Sequence, residues 1–170
     1  MFFLKDIPGS EVLETDAEKH PEMNIDPTAV CACLNMLRTG SDMLAGFETM
    51  LRGHNLSQGR FLVMLVMHGQ GGGSVLPSEL SEKVGVARAT MTGLLDGLER
   101  DALIRREADK EDGRKSRVRL TPAGAALMES VLPDYYRRIG LLMKGLSGLE
   151  REMVVFLLEK VHEQLPSLTE

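Results

Sequence analysis

The sequence predicts a mainly α protein with one small β-hairpin. Three observations carry that expectation. Apolar residues recur at helical spacing over most of the chain. Leu and Met are plentiful, whereas aromatic residues make up 4% and Trp is absent, a balance that favours helix over strand. Only the stretch Asp109 to Gly124 (DKEDGRKSRVRLTPAG) gathers charges around a glycine and then alternates Arg with aliphatic residues. At 170 residues the chain suits one compact domain or one protomer of an oligomer.

Residues 1–26 carry Pro8, Gly9 and Pro21, two lysines and seven acids, with no clear period. They read as an acidic, mobile N-terminal arm, in which Phe2, Phe3, Leu4 and Ile7 offer docking points. The arm holds a net charge of -5, the value for the whole chain, so the remainder is neutral overall. Its charges are nonetheless sorted: Arg105 to Arg119 is the most basic window, and such a patch lets an acidic protein meet nucleic acid. The longest apolar run, Phe61 to Met67, is too short to cross a bilayer, so no membrane partner is expected. MFFLKDIPG lacks the basic region and sustained apolar stretch of a secretory signal, and the cytoplasm is the expected location.

Pro27 suits a first helical position, and Val30, Leu34, Leu37, Leu44 and Leu51 extend one stripe to about Arg52, where Gly53 ends it. Ser57 reads as an N-cap for a nearly all-apolar helix, through Phe61, Leu62, Met64, Leu65 and Met67, that should be buried. The glycines that follow, 69 and 71–73, follow a helix rather than a strand and lack a Lys-Ser/Thr pair, so they read as a connector rather than a phosphate loop.

Pro77 to Arg100 (PSELSEKVGVARATMTGLLDGLER) has a specific spacing. A first helix buries Leu80 and Val84, Gly85 supplies the positive φ of a sharp turn, and Val86 packs that turn. A second helix from about Arg88 buries Met91, Leu94, Leu95 and Leu98. It leaves Arg88, Ala89, Thr90, Thr92 and Gly93 exposed near its start. Small and hydroxyl-bearing residues there allow close approach to a major groove.

Leu103–Glu107 and Arg117–Leu120 read as paired strands. Val118 and Leu120 should face the helices, while Arg117 and Arg119 face out with period two. The connecting loop presents Asp112, Gly113, Arg114 and Lys115. A guanidinium at a hairpin tip suits the narrow, negative minor groove, and Asp112 can hold the direction of Arg114. Thr121-Pro122 then starts a helix through Leu127, Val131, Tyr135, Ile139, Leu142 and Leu146, with Pro133 expected to kink or break it. Leu149, Met153, Phe156, Leu157, Val161 and Leu165 mark a last helix. Together the helix pair and hairpin make a winged helix-turn-helix.

In Asp109-x-x-Asp112-x-Arg114, in Val118-x-Leu120-Thr121-x-x-Gly124 and in Leu103-Ile104-Arg105-Arg106, the sequence resembles the MarR family of bacterial transcription regulators. The likeness runs from about Pro27 to Leu165. It implies a reader lobe over 57–121, flanked by an N-terminal dimerisation helix (27–56) and C-terminal dimerisation helices (122–170). It further implies a cytoplasmic homodimer that binds a pseudo-palindromic operator in double-stranded DNA as a repressor, released by a small-molecule effector. By position, Arg114 would enter the minor groove, oriented by Asp112, with Lys115 and Arg117 beside it. Arg88, Ala89, Thr90 and Thr92 would stand at the reading end of the recognition helix. Ala102 replaces a glycine common in the family and Ser81 an alanine; both are small, and little effect is expected.

The resemblance also implies an effector crevice, for which Leu44, Phe47, Phe61, Met64 and Met67 are candidates, each with plain core as its competing reading. His54 and His68 stand near helix ends, where either can meet an anionic effector. An alternative trigger is Cys31, which matches the location of the reactive cysteine in OhrR-type peroxide sensors, although the two tyrosines that accompany it there have no counterpart. Cys31 and Cys33, roughly 200° apart on a helix, cannot bond to each other or share a metal. A third reading is a dimeric interaction protein of the same fold that does not bind DNA. No Ser-His-Asp set, paired-carboxylate motif or metal-ligand spacing is present, so neither an enzyme nor a cofactor nor a metal is expected.

Overall fold

A computed structural model of the chain describes residues 7–109 and 116–169. Seven helices and one hairpin follow in order: α1 (Ser10–Lys19), α2 (Pro27–Arg52), α3 (Gln58–Gly69), α4 (Pro77–Val84), α5 (Arg88–Arg100), β1 (Ile104–Ala108), β2 (Ser116–Leu120), α6 (Pro122–Leu142) and α7 (Gly148–Glu163). Short 3-10 turns follow α1 and α7, at Pro21–Met23 and Leu165–Leu168. The architecture is the mainly α one with a two-stranded wing that the sequence predicts. Contacts divide it into two compact units, residues 1–63 and 64–170.

In the first unit, α1 packs on α2 although the arm shows no helical period, so the acidic segment holds an element that the pattern did not reveal. The Asp26 side chain caps α2, accepting from the Thr28 and Ala29 amides at 2.9 and 3.1 Å, with Pro27 next in the first turn. Those bonds, with the Thr28 hydroxyl first, hold the Asp26 carboxyl below its ordinary pKa. Along the 26 residues of α2 only Met50 and Leu51 are buried; Leu37 and Leu44, members of the predicted stripe, are about half exposed.

In the second unit the core gathers Met64, Met67, Leu80, Met91, Leu95, Leu98, Ile104, Val118, Met128 and Val131, all buried. The α4–α5 turn forms as its sequence requires: Gly85 has φ 73°, and its amide and that of Val86 both donate to the Ser81 carbonyl, at 2.9 and 3.1 Å. Ser81 itself is buried, and its hydroxyl is satisfied by the Pro77 and Ser78 carbonyls at 2.8 and 3.0 Å. The strands pair antiparallel with Ile104 opposite Leu120, Arg105 opposite Arg119 and Arg106 opposite Val118. Val75, just before α4, adds a bridge, exchanging two 2.9 Å backbone bonds with Val118.

The exit from the wing is tightly built. Thr121 caps α6 by accepting from the Gly124 amide at 3.0 Å, while its own hydroxyl donates to the Ala102 carbonyl at 2.7 Å. At Gly124 a Cβ would lie 2.0 Å from the Leu103 carbonyl oxygen, so only glycine lets α6 start this close to the strand entry. Contrary to the expectation of little effect, Ala102 has φ 57°, a left-handed conformation that strains an alanine and that glycine adopts without a Cβ penalty. α6 continues through Pro133 without a break. No residue of α7 is buried: Leu149, Met153, Phe156 and Leu157 are 79, 55, 54 and 50% exposed.

Candidate nucleic-acid interface

The recognition candidate, α5, is amphipathic in the sense its sequence demands. Met91, Leu95 and Leu98 are buried and Leu94 half-buried, whereas Arg88, Ala89, Thr90, Thr92 and Gly93 are all exposed at its N-terminal end. Residue 87 caps it in extended conformation without a side-chain bond, so the first turn is open to a ligand's acceptors. The Thr92 hydroxyl donates back to the Arg88 carbonyl at 3.0 Å, which uses its proton and leaves the oxygen as an acceptor.

The other end of α5 is clamped to the wing. Arg106 donates from Nη2 to Asp96 at 2.6 Å and from Nη1 to Glu99 at 2.5 Å, and its backbone amide donates to the same Glu99 at 3.1 Å. The bond to Asp96 comes first among the causes that raise the Arg106 pKa above its ordinary value, with the Glu99 charge adding to it. β1 is thereby fixed to α5 by a charge-assisted fork rather than by apolar packing alone. Nothing in local sequence periodicity announces this clamp, because its partners lie seven and ten residues away across a turn.

Arg117 and Arg119, both expected to face outward, behave differently. Arg119 is exposed. Arg117 is half-buried, with bonds to Ser74 Oγ (3.0 Å), the Ser74 carbonyl (2.8 Å) and Asp109 (3.1 Å). Its guanidinium ties the wing stem to the segment before α4. Asp109, the first aspartate of the wing motif, therefore holds the stem. Asp112, Arg114 and Lys115 lie outside the described residues.

Of the effector-pocket candidates, Phe61, Met64 and Met67 are fully buried, Phe47 is half-buried and Leu44 is 43% exposed. Cys31 is half-buried on α2 and Cys33 exposed, both as free thiols. Among the described residues no cluster of His, Cys, Asp or Glu is arranged to hold a metal. No described helix is long and apolar enough to cross a membrane.

A family model described as MarR family matches residues 53–115. The HTH-type transcriptional repressor YetL of Bacillus subtilis is 32% identical over 162 residues, covering 95% of this chain and 96% of that protein. This chain belongs to the MarR family. The relationship extends well beyond the reader lobe, into the helices on either side. Among solved structures of MarR-like chains, Bordetella bronchiseptica BpsR is similar at 27% identity and TM-score 0.66, over 75% of this chain and 91% of that one. That structure addresses how 6-hydroxynicotinic acid regulates BpsR's DNA binding. The Staphylococcus aureus MepR–DNA complex matches at TM-score 0.71 and 20% identity, over 78% and 95% of the two chains, a likeness of fold alone. The MarR family is a family of transcription regulators.

Proposed function

We propose that this MarR-family chain acts as a cytoplasmic homodimer that binds a pseudo-palindromic operator in double-stranded DNA and represses transcription until a small-molecule effector releases it. The observation that carries the reading is the division of labour along α5. One end exposes Arg88, Ala89, Thr90, Thr92 and Gly93, while the other is held by Arg106. A helix held at its far end and open at its near end suits insertion into a major groove. Arg88, Ala89, Thr90 and Thr92 then read or contact the groove. Arg114 and Lys115 engage the minor groove beside it, with Asp112 orienting Arg114. Arg117 contributes by holding the wing stem.

The dimer is supported by apolar surface that the protomer leaves open. On α7, Val154, Val155, Leu158 and Val161 join the exposed residues named above. Monomeric proteins seldom leave so much contiguous apolar area in water. Two copies would also place two reader lobes on one operator. The effector reading draws support from BpsR, whose DNA binding is described as regulated by 6-hydroxynicotinic acid.

Fluorescence anisotropy of labelled DNA from beside the protein's own gene tests this reading. Thr90→Val and Thr92→Val are expected to change preference among operator variants by about 1–3 kcal/mol while sparing nonspecific binding. A uniform loss on all DNA would confine these residues to backbone contact. Absence of specific binding, extended to a broader operator selection, would transfer the assignment to a dimeric interaction protein.

A further inference from the structure

Thr92 stands exposed in the second turn of α5, and its hydroxyl proton is already committed. It donates to the Arg88 carbonyl at 3.0 Å, one turn back along the helix. A hydroxyl holds one proton and two lone pairs, so what Thr92 offers a partner is an acceptor alone. Thr15 in α1 and Thr49 in α2 make the same kind of bond, to the Glu11 and Ala45 carbonyls at 2.8 and 2.9 Å. Thr92 differs from them in its place, on the exposed side of the recognition candidate.

The surroundings of that oxygen favour a donor. Asp96 lies one turn further along the same face of α5, with its side chain more than half exposed. Asp96 and Glu99 hold Arg106 between them, at 2.6 and 2.5 Å. Two carboxylates around one guanidinium leave one negative charge on this flank of the helix, which attracts hydrogen-bond donors and repels acceptors. Gly93, next to Thr92, adds clearance. A Cβ there would meet nothing within 4 Å, and its φ is not positive, so the fold itself does not call for glycine. Glycine inside a helix costs about 1 kcal/mol relative to alanine. What it provides here is room for a base edge to come close beside the Thr92 oxygen.

In the major groove adenine presents its N6 amine and cytosine its N4 amine as donors, whereas guanine O6 and thymine O4 are acceptors. We propose that Thr92 is a specificity-determining residue, accepting a hydrogen bond from the exocyclic amine of an adenine or a cytosine. The inference rests on the regulator reading above and deepens it. Every base pair carries one amine and one carbonyl in this groove, so an acceptor reads which strand holds the amine. Thr92 therefore separates A·T from T·A and C·G from G·C, but does not separate A·T from C·G. Guanine or thymine at the same place would set two acceptors face to face, beside a carboxylate, with no proton between them.

The test is a base-by-base scan of a selected operator by fluorescence anisotropy, with the full-length wild type, T92V and T92S. Valine keeps the shape and removes the acceptor; serine keeps the hydroxyl. At one position of each half-site the wild type is expected to prefer A or C to G or T on the same strand by about tenfold. T92S keeps that preference, and T92V levels it to within about twofold. N6-methyladenine or N4-methylcytosine placed there blocks the amine, and is expected to weaken wild-type binding about tenfold while leaving T92V unchanged. Circular dichroism and thermal melting establish that the variants are folded; T92A serves as the second acceptor-free variant if valine disturbs α5. A preference for G or T that disappears in T92V would overturn the proposal, because Thr92 would then be donating. Loss by T92V that is equal on specific and nonspecific DNA would also overturn it, by making Thr92 a phosphate contact. If no position responds to T92V while the wild type still binds its operator specifically, the proposal falls and the regulator reading stands. Wild-type protein without sequence-specific binding to any DNA would sink the regulator reading and this inference with it.

Discussion

Arg117 on the wing donates from Nε to Ser74 Oγ at 3.0 Å and from Nη2 to the Ser74 carbonyl at 2.8 Å. Through this pair, 43 residues apart in sequence, the hairpin stem is tied to the chain entering α4. Asp109 accepts from the same guanidinium at 3.1 Å, so one side chain joins both sides of the stem to the lobe. A lysine carries the charge but not the fork. Arg117→Lys is therefore expected to cost about 1–3 kcal/mol, read from the chemical denaturation midpoint, and to weaken DNA binding with it. A variant as stable as the wild type but weaker on DNA would mean that Arg117 acts by direct contact instead.

Ala102 links α5 to β1 with φ 57°. Its Cβ bears the penalty of the left-handed region, which glycine escapes at some cost in unfolded-chain entropy. The balance predicts that Ala102→Gly stabilises the protein by about 0.5–1 kcal/mol. A shift of the denaturation midpoint to lower denaturant would show that the alanine is accommodated without strain.

Acid should loosen the helix ends. Asp26 caps α2 and is held below its ordinary pKa by the Thr28 hydroxyl and the Ala29 amide. Glu150, in the capping box of α7, is lowered by the Ser147 amide and then its hydroxyl. Asp134, within α6, is lowered by Arg138 and then Arg137. Each carboxylate has a folded pKa below its unfolded one. Its stabilisation is thus fully present above the unfolded value near 4, and is lost as pH falls through the folded value. Urea midpoints measured from pH 7 to pH 3 are expected to fall most steeply below about pH 4. Asp26→Asn and Glu150→Gln should flatten that fall, and a wild-type midpoint indifferent to acid would refute the assignment.

How far the sequence revealed this molecule depended on whether the signal was local. Pro27, Gly85 and Thr121-Pro122 mark helix boundaries within a turn of themselves, and the structure follows all three. The alternation that turned Val118 inward is equally local, and Val118 is fully buried. α1 was missed because an acidic segment with few apolar residues gives no periodic stripe to read. The Val75 bridge was missed because a single residue has no period at all. The fork from Arg106 to Asp96 and Glu99 and the bond from Arg117 to Ser74 join elements that only the fold brings together. Two arginines of one hairpin thereby became structural, a distinction that β-strand alternation cannot make.

The central claim is that the wing and α5 act together on DNA. The most direct test is anisotropy of operator DNA against salt, with wild-type protein and Arg114→Ala. The account predicts a steep loss of wild-type affinity with salt, a slope of about -0.9 for each phosphate neutralised. It predicts that Arg114→Ala weakens binding by about tenfold or more at unchanged melting temperature. Wild-type binding that ignores salt, or an Arg114→Ala variant that binds as tightly as the wild type, would contradict it.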